Sequence, residues 1–205
     1  MVNNRRVDRP CALAAPRPTG ADANAPPMND ISFRPATPAD ALCLGVLATQ
    51  VFLDTYALEG ISPALAREVL THGSVEAYAT LLESPDVTLL VAERAANLVG
   101  FAQVVHGQGH ALLPGRAGAE LRRLYVQERF TARGIGRDLL RHAEKAAAAR
   151  GADALWLTAW VGNARALEFY PRRGFEDAGA TVYSFGGDDY ANRLFVKHVR
   201  HVAPA

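Results

Sequence analysis

The chain has 205 residues, 49% hydrophobic and 21% charged, which is the make-up of an ordinary globular protein long enough for one domain with a sizeable core. Its 22 basic and 21 acidic residues leave a net charge of +1, so no global field would hold it on nucleic acid or on an anionic membrane. No apolar run reaches the roughly 18 residues of a membrane span, and Cys11 and Cys43 form neither a disulfide framework nor a metal-ligand spacing, which fits a reducing cytoplasm.

Residues 1 to 28 carry Pro10, Pro16, Pro18, Pro26 and Pro27 without apolar periodicity, and are expected to stay disordered because they cannot repay the entropy of ordering. The patch from Cys11 to Ala15 is too short, and too soon broken by Pro16, to be a signal-peptide core. Met28 is a candidate start of translation, which the intact mass of the native protein tests. From 29 to 205 a single domain is expected.

Ile31 to Arg34 alternates like a strand and ends at Pro35, and a helical run follows through Leu42, Val46, Leu47 and Phe52. Ser62 can cap, and Pro63 can open, a second helix through Leu65, Val69 and Leu70, with a further helical stretch ending near Ser84-Pro85. Val87 to Ala92 and Leu98 to Val105 are β-branched-rich strands joined as a hairpin, and Leu121 to Val126 is a third after a Gly-rich loop. Ile135, Leu139, Ala143 and Ala147 recur at helical spacing up to Gly151, and Ala154 to Trp160 reads as a buried strand behind them. A short helix from Asn163, a break at Gly174, and strands near Phe175-Glu176 and Arg193 to Lys197 complete a mixed α/β sheet.

Strand, loop, then Gly134-Ile135-Gly136 opening a helix is the geometry in which free backbone N–H groups and the helix dipole face an anion. Glycines let a ligand approach the backbone, and Arg133 and Arg137 add charge at the rim. A glycine turn alone is more often structural. Leu139 replaces the third glycine of a dinucleotide fingerprint, and no Gly-Lys-Ser/Thr follows for a triphosphate loop.

Taken together, Leu121-Arg122-Arg123-Leu124-Tyr125-Val126, Arg133-Gly134-Ile135-Gly136-Arg137-Asp138-Leu139-Leu140, and Asn163 to Tyr170 with Arg173-Gly174-Phe175 closely resemble the GNAT superfamily of acyl-CoA N-acyltransferases. The resemblance runs in element order from 31 to about 199 and is specific from 121 to 175. It implies a splayed central sheet with acetyl-CoA, as acyl-donor cosubstrate, lying between strands 121–126 and 154–160. The pantetheine would pair with backbone of Leu124 and Val126, beside Tyr125, like an extra strand. The pyrophosphate would sit on amides of the Thr131, Ala132, Arg133, Gly134, Ile135, Gly136 and Arg137 segment as far as Asp138. The family usually has Arg or Gln where Thr131 stands, so side-chain binding is weaker there. Asn163 resembles the family asparagine near the pantetheine, but it can equally be a helix cap.

Transfer of an acetyl group to a primary amine needs a neutral nucleophile, a polarised carbonyl and a proton for the thiolate. Tyr170 resembles the family's general acid, although beside Phe169 it also reads as a core aromatic, and Pro171 next to it tends to bend or end the helix. Glu120 is the first candidate base, directly or through water, with Tyr125 and His106 behind it, while glutamate at a strand end is most often solvated surface. The resemblance puts a backbone N–H at Val126 against the oxyanion. No metal is expected, since Gly107 and Gly109 make His106 and His110 loop residues.

In this family the acceptor is recognised by the first helices and later loops, here Phe52 to Gly60, His106 to Ala119 and Thr181 to Tyr190. Asp54, Glu59 and Asp188-Asp189 could attract a cationic amine such as a polyamine, aminoglycoside or lysine side chain, or a peptide amine. Residues 51 to 56 loosely resemble polyamine-acetylating members. The rival readings are a non-catalytic acyl-CoA-binding regulatory module and a pure interaction protein. A homodimer is plausible by analogy alone.

Overall fold

A computed structural model describes residues 31–199 except 116, 117 and 186, and except the side chain of Phe185. The expected disorder of residues 1 to 28, and the bounds of the domain, therefore fall at least partly outside the described residues.

The order of elements is β1 (Ile31–Pro35), α1 (Ala41–Tyr56), α2 (Pro63–His72), α3 (Val75–Glu83), β2 (Val87–Arg94), β3 (Asn97–His106), β4 (Gly118–Val126), α4 (Ile135–Ala149), β5 (Ala154–Trp160), α5 (Ala164–Phe169), β6 (Glu176–Phe185) and β7 (Asp188–His198). The seven strands form one sheet in the order β1-β2-β3-β4-β5-β7-β6, with β4 and β5 its parallel pair. This is the mixed sheet that the alternating strand and helix patterns predict.

Local chemistry sets the helix starts. Ser62 accepts a hydrogen bond from the Leu65 N–H at 3.2 Å and Pro63 fills the first turn of α2, while Ser74 does the same for α3 through Ala77 N–H at 3.1 Å. Ahead of α1, the Asp40 carboxylate accepts from the Thr37 backbone N–H at 2.7 Å and pairs with the Arg34 guanidinium at 2.7 Å, which ties β1 to the helix.

One face of the sheet is covered by α4, whose Ile135, Leu139, Leu140, Ala143 and Ala147 are buried against Val104, Leu121, Leu155 and Leu157. Truncating Leu139, which is fully buried, would cost about 2–5 kcal/mol. The opposite face is covered by α1 and α3, with Leu44, Leu47 and Tyr78 packed on Val91 and Phe101. A smaller group, Leu113, Ala154, Trp156, Leu194 and Val196, lies under the loop after β3.

The segment Thr181 to Tyr190, expected as a loop, is instead the turn-proximal half of a long β6–β7 hairpin, with Tyr183 opposite Tyr190 and Phe185 opposite Asp188. β7 accordingly begins five residues before the expected Arg193. Val182 and Tyr183 are exposed, so this stretch lacks the one-sided apolar alternation that marks a strand, and it is held by backbone pairing and the Ser184–Asp189 hydrogen bond.

Candidate functional site

Pairing between β4 and β5 covers three positions, Gly118 with Ala154, Ala119 with Leu155 and Glu120 with Trp156, and stops there although both strands run on. The cause lies in β4. Against β3, Gln103 faces Arg123 but Val104 faces Leu121, so Arg122 is an extra residue, a β-bulge that bends the strand away from β5. The bulge also breaks side-chain alternation: Leu121 and Leu124 both pack toward α4, which puts Arg122 and Arg123 together on the other face.

Beyond the bulge the ladder regains its alternation. The Gln127 N–H donates to the Val99 carbonyl at 3.0 Å, so in the adjacent Val126–Gly100 pair the main-chain groups point away from β3. By the same alternation Leu124 and Val126 direct N–H and C=O into the opening beside β5, while Tyr125 turns its own toward β3. The two residues expected to pair with a pantetheine thus present an unpaired strand edge.

At the far end of this opening stands the start of α4. Ala132 and Gly134 both have positive φ, 60° and 84°, in the loop that leads into it. For Ala132 this is a strained conformation; for Gly134 it explains the glycine. Alternating hands of this kind turn successive N–H groups toward one point, a concave nest for an anion. No side chain caps the helix, and the Asp138 N–H is the first to find an intrahelical partner, Gly134 O at 3.0 Å. Thr131 turns its hydroxyl back to the Glu128 carbonyl at 2.8 Å, so it offers the nest no side-chain donor. Arg133 lies over the Phe130 ring at 5.7 Å, and Arg137 is exposed and bonded to Asp138 at 3.2 Å. A Cβ on Gly136 would meet nothing nearer than Phe169 at 3.8 Å, so protein packing does not require that glycine. An extended ligand ending in a pyrophosphate fits an open strand edge running into a nest.

α5 ends at Phe169 because Pro171 opens a separate 3-10 turn to Arg173. Tyr170, at that junction, is buried with ring centroids 5.2, 5.5 and 6.1 Å from Phe169, Phe175 and Phe195. Burial, with Tyr56 and Tyr125 nearby, pushes its phenol well above the ordinary value near 10. Tyr170 packs with the α4-side core whereas Tyr125 packs with the α1 side, so their mutual influence runs through the gap between β4 and β5. Tyr56 closes the far side against Trp160, centroids 5.8 Å apart.

Glu120 stands at the last paired position of β4, and its carboxylate is held by Arg122 at 2.6 Å. Asn163 caps α5, its Oδ1 accepting from the Ala166 N–H at 3.0 Å. His106 bonds Thr88 at 2.8 Å, and burial pushes it below the ordinary histidine value, while His110 meets Trp156 edge-on. Among the described residues no three His, Cys, Asp or Glu side chains gather as a metal site needs.

A second, shallow cleft lies on the α1 face of β4, lined by Phe52, Glu68, Val69, His72, Arg123 and Tyr125 among others. Sequence reasoning found Phe52 and Tyr125 but missed Glu68 and Arg123. The consecutive Arg122-Arg123 in an otherwise apolar strand was the available signal, since only a bulge lets both avoid the core.

A splayed parallel pair beside a nest at a helix start defines the acyltransferase class of fold. The model of the acetyltransferase (GNAT) family matches residues 56–175, more than half of the chain, and the chain belongs to that family. It is 37% identical over 100 residues to an IAA acetyltransferase of Azospirillum brasilense, 48% of this chain and 60% of that protein. It is 32% identical over 80 residues to an uncharacterized N-acetyltransferase of Lactobacillus delbrueckii subsp. lactis, 39% of this chain and 46% of that protein. These matches span less than two thirds of either relative. Among solved structures, the PaiA N-acetyltransferase of Thermoplasma acidophilum in complex with coenzyme A superposes with a TM-score of 0.63 at 24% identity, covering 82% of this chain and 98% of that one. At that identity the likeness is one of fold. No helix among the described residues is long and apolar enough to cross a membrane.

Proposed function

We propose that the protein is an N-acetyltransferase that takes acetyl-CoA in the opening between β4 and β5 and passes the acetyl group to a primary amine by direct attack. The observation that carries this is the withdrawal of β5 after Glu120–Trp156, which leaves Leu124 and Val126 with unpaired main-chain groups facing an opening that ends at the nest before α4.

When bound, a CoA thioester supplies the activated acetyl group. The chain's own part is to hold the diphosphate on the amides from Arg133 to Arg137, to align the thioester along Leu124 to Val126, and to keep water from the transfer point with the rings of Tyr56, Trp160 and Phe169. As the amine nitrogen bonds to the acetyl carbon and the C–S bond breaks, the Tyr170 phenol gives its proton to the thiolate, and the proton shed by nitrogen leaves through Glu120 or a water held there. Burial keeps the Tyr170 phenol protonated and so holding a proton to give, while its raised pKa makes donation to a thiolate less favourable, so the role rests on its position beside the sulfur.

Calorimetry with acetyl-CoA tests the reading, with Gly134→Glu as control because its carboxylate would enter the nest and repel a diphosphate. Tight binding that is lost at least 100-fold in the control supports it. Absence of binding to the wild type sinks it. Binding with no turnover change in Tyr170→Phe and Glu120→Gln would favour a regulatory acyl-CoA-binding module instead.

A further inference from the structure

The cleft on the α1 face of β4 holds an arginine, Arg123, that is in ion-pair contact with no carboxylate. Arg123 donates to the Gln103 side-chain oxygen and lies near the Tyr125 phenol, both neutral groups. Gln103 is fully buried in β3, so the guanidinium is anchored from below by an amide rather than a carboxylate. Its neighbour Arg122 is neutralised by Glu120, but none of the ion pairs among the described residues includes Arg123.

An arginine has five N–H donors in a planar fork, and one neutral acceptor leaves most of them unused. A partly buried guanidinium without a counter-ion is costly unless something in the working complex completes it. The surroundings repeat the pattern: the Gln103 Nε2 and the Tyr78 hydroxyl are buried without a partner, and both flank Arg123. Across the cleft stands Glu68, paired with His72 at 3.8 Å and more than 4 Å from Arg123. A positive and a negative group therefore line the same small cleft as Tyr125, which is near enough to Tyr170 to act on it electrostatically.

Resting on the acetyltransferase reading above, we propose that Arg123 receives a carboxylate of the acceptor, so that the acceptor is amino-acid-like, carrying its amine and a carboxylate on one small molecule. The planar fork matches a carboxylate in two parallel hydrogen bonds, while Glu68 gives the amine end an approach of opposite charge. A polyamine or aminoglycoside, cationic throughout, would have to bury positive charge against Arg123, and the acidic residues that first pointed to such substrates sit elsewhere, with Asp189 already bonded to Ser184 at 2.6 Å.

The test is thiol release from acetyl-CoA with the proteinogenic amino acids, each beside its own carboxamide, together with spermidine. For the wild type, at least one acid is expected to exceed its carboxamide by 10-fold or more in kcat/KM, mainly through KM. Arg123→Gln should reduce that ratio to about 2, and Arg123→Lys should retain part of it, as charge without the fork would. Calorimetric acetyl-CoA binding should be the same in all three proteins. Equal use of acid and carboxamide by the wild type, use of spermidine alone, no acceptance of any acid by a protein that binds acetyl-CoA, or an undiminished ratio in Arg123→Gln each overturns the proposal. Failure of the wild type to bind acetyl-CoA overturns the acetyltransferase reading itself. If Arg123→Gln does not fold, the wild-type ratio and Arg123→Lys decide.

Discussion

Glu120 on β4 faces Trp156 on β5, and beyond this pair the two parallel strands part. The opening is built by an insertion in one strand rather than by a missing element, so its walls remain rigid core strands. Ligand binding and fold stability should then separate at positions that face only the opening.

Gly136 is such a position. A methyl group there would meet Phe169 and Val126 at ordinary contact distance, so the fold should accept Gly136→Ala and gain up to about 1 kcal/mol of helix propensity. The same methyl would stand where a diphosphate meets the first turn of α4. Thermal melts are expected to show equal or greater stability, and calorimetry a loss of at least 10-fold in acetyl-CoA affinity. Unchanged affinity would remove Gly136 from the binding surface.

Tyr170→Phe keeps the ring that packs against Phe169, Phe175 and Phe195 and removes only the phenolic hydroxyl. kcat is expected to fall by about 100-fold, the scale of a lost general acid, with acetyl-CoA affinity changed less than threefold. Because burial and the nearby phenols push Tyr170 above its usual value near 10, it stays protonated across the working range. Any alkaline fall in kcat below about pH 10 should therefore persist, at lower amplitude, in the variant. Its disappearance would mean that Tyr170 is the group titrating.

Asp40 joins β1 to α1 and is held well below the usual carboxylate range, chiefly by its hydrogen bonds from Arg34. A depressed folded-state value means that the contribution is complete above the unfolded pKa of about 3.9 and is lost as the pH falls toward the folded one. Asp40→Asn should cost about 1–3 kcal/mol at pH 7 in urea unfolding, and the gap to wild type should narrow between pH 4 and pH 2. A gap that is constant with pH would assign the cost to lost capping geometry alone.

The chain from β1 to β5 was legible almost element by element, because α2 and α3 open on serine caps, α4 carries one apolar stripe, and each strand has a face that must be buried. The motif at 133 to 137 likewise located the nest. What stayed hidden was made by register. The bulge at Arg122 depends on how β3 happens to pair, and nothing local to Arg123 reveals that Gln103 will meet it twenty residues away in sequence. The β6–β7 hairpin was missed for the opposite reason, since both faces of its outer half are wet and it carries no burial pattern at all.

Between β2 and β3 the turn has only two residues, Ala95 and Ala96, with φ of 47° and 61°. Positive φ at both positions is the twist that a two-residue hairpin demands, but alanine adopts it under strain. Ala95→Asn with Ala96→Gly should raise stability by about 1–2 kcal/mol, read as a higher urea midpoint at unchanged slope. The turn is remote from the cleft and the nest, so kinetic constants should not move. Loss of stability would show that the Asn97 side chain, bonded to the Ala95 carbonyl at 2.9 Å, already sets the turn.

Gly45 lies inside α1, where alanine would normally be worth about 1 kcal/mol more than glycine. Here a Cβ would come within 2.4 Å of the Gly73 carbonyl oxygen at the end of α2, a backbone atom that cannot rotate aside. The two helices must therefore separate to admit it, and Gly45→Ala is expected to destabilise by about 1–3 kcal/mol despite the propensity gain. α2 also carries Glu68 and Val69 into the cleft opposite Arg123, so the displacement should raise the acceptor KM several-fold. The nest and the open edge of β4 are set by α4 and β3, which do not depend on α2, and acetyl-CoA affinity should stay within twofold of wild type. A variant that lost affinity for both substrates in equal measure would show instead that α1 and α2 brace the sheet as a whole.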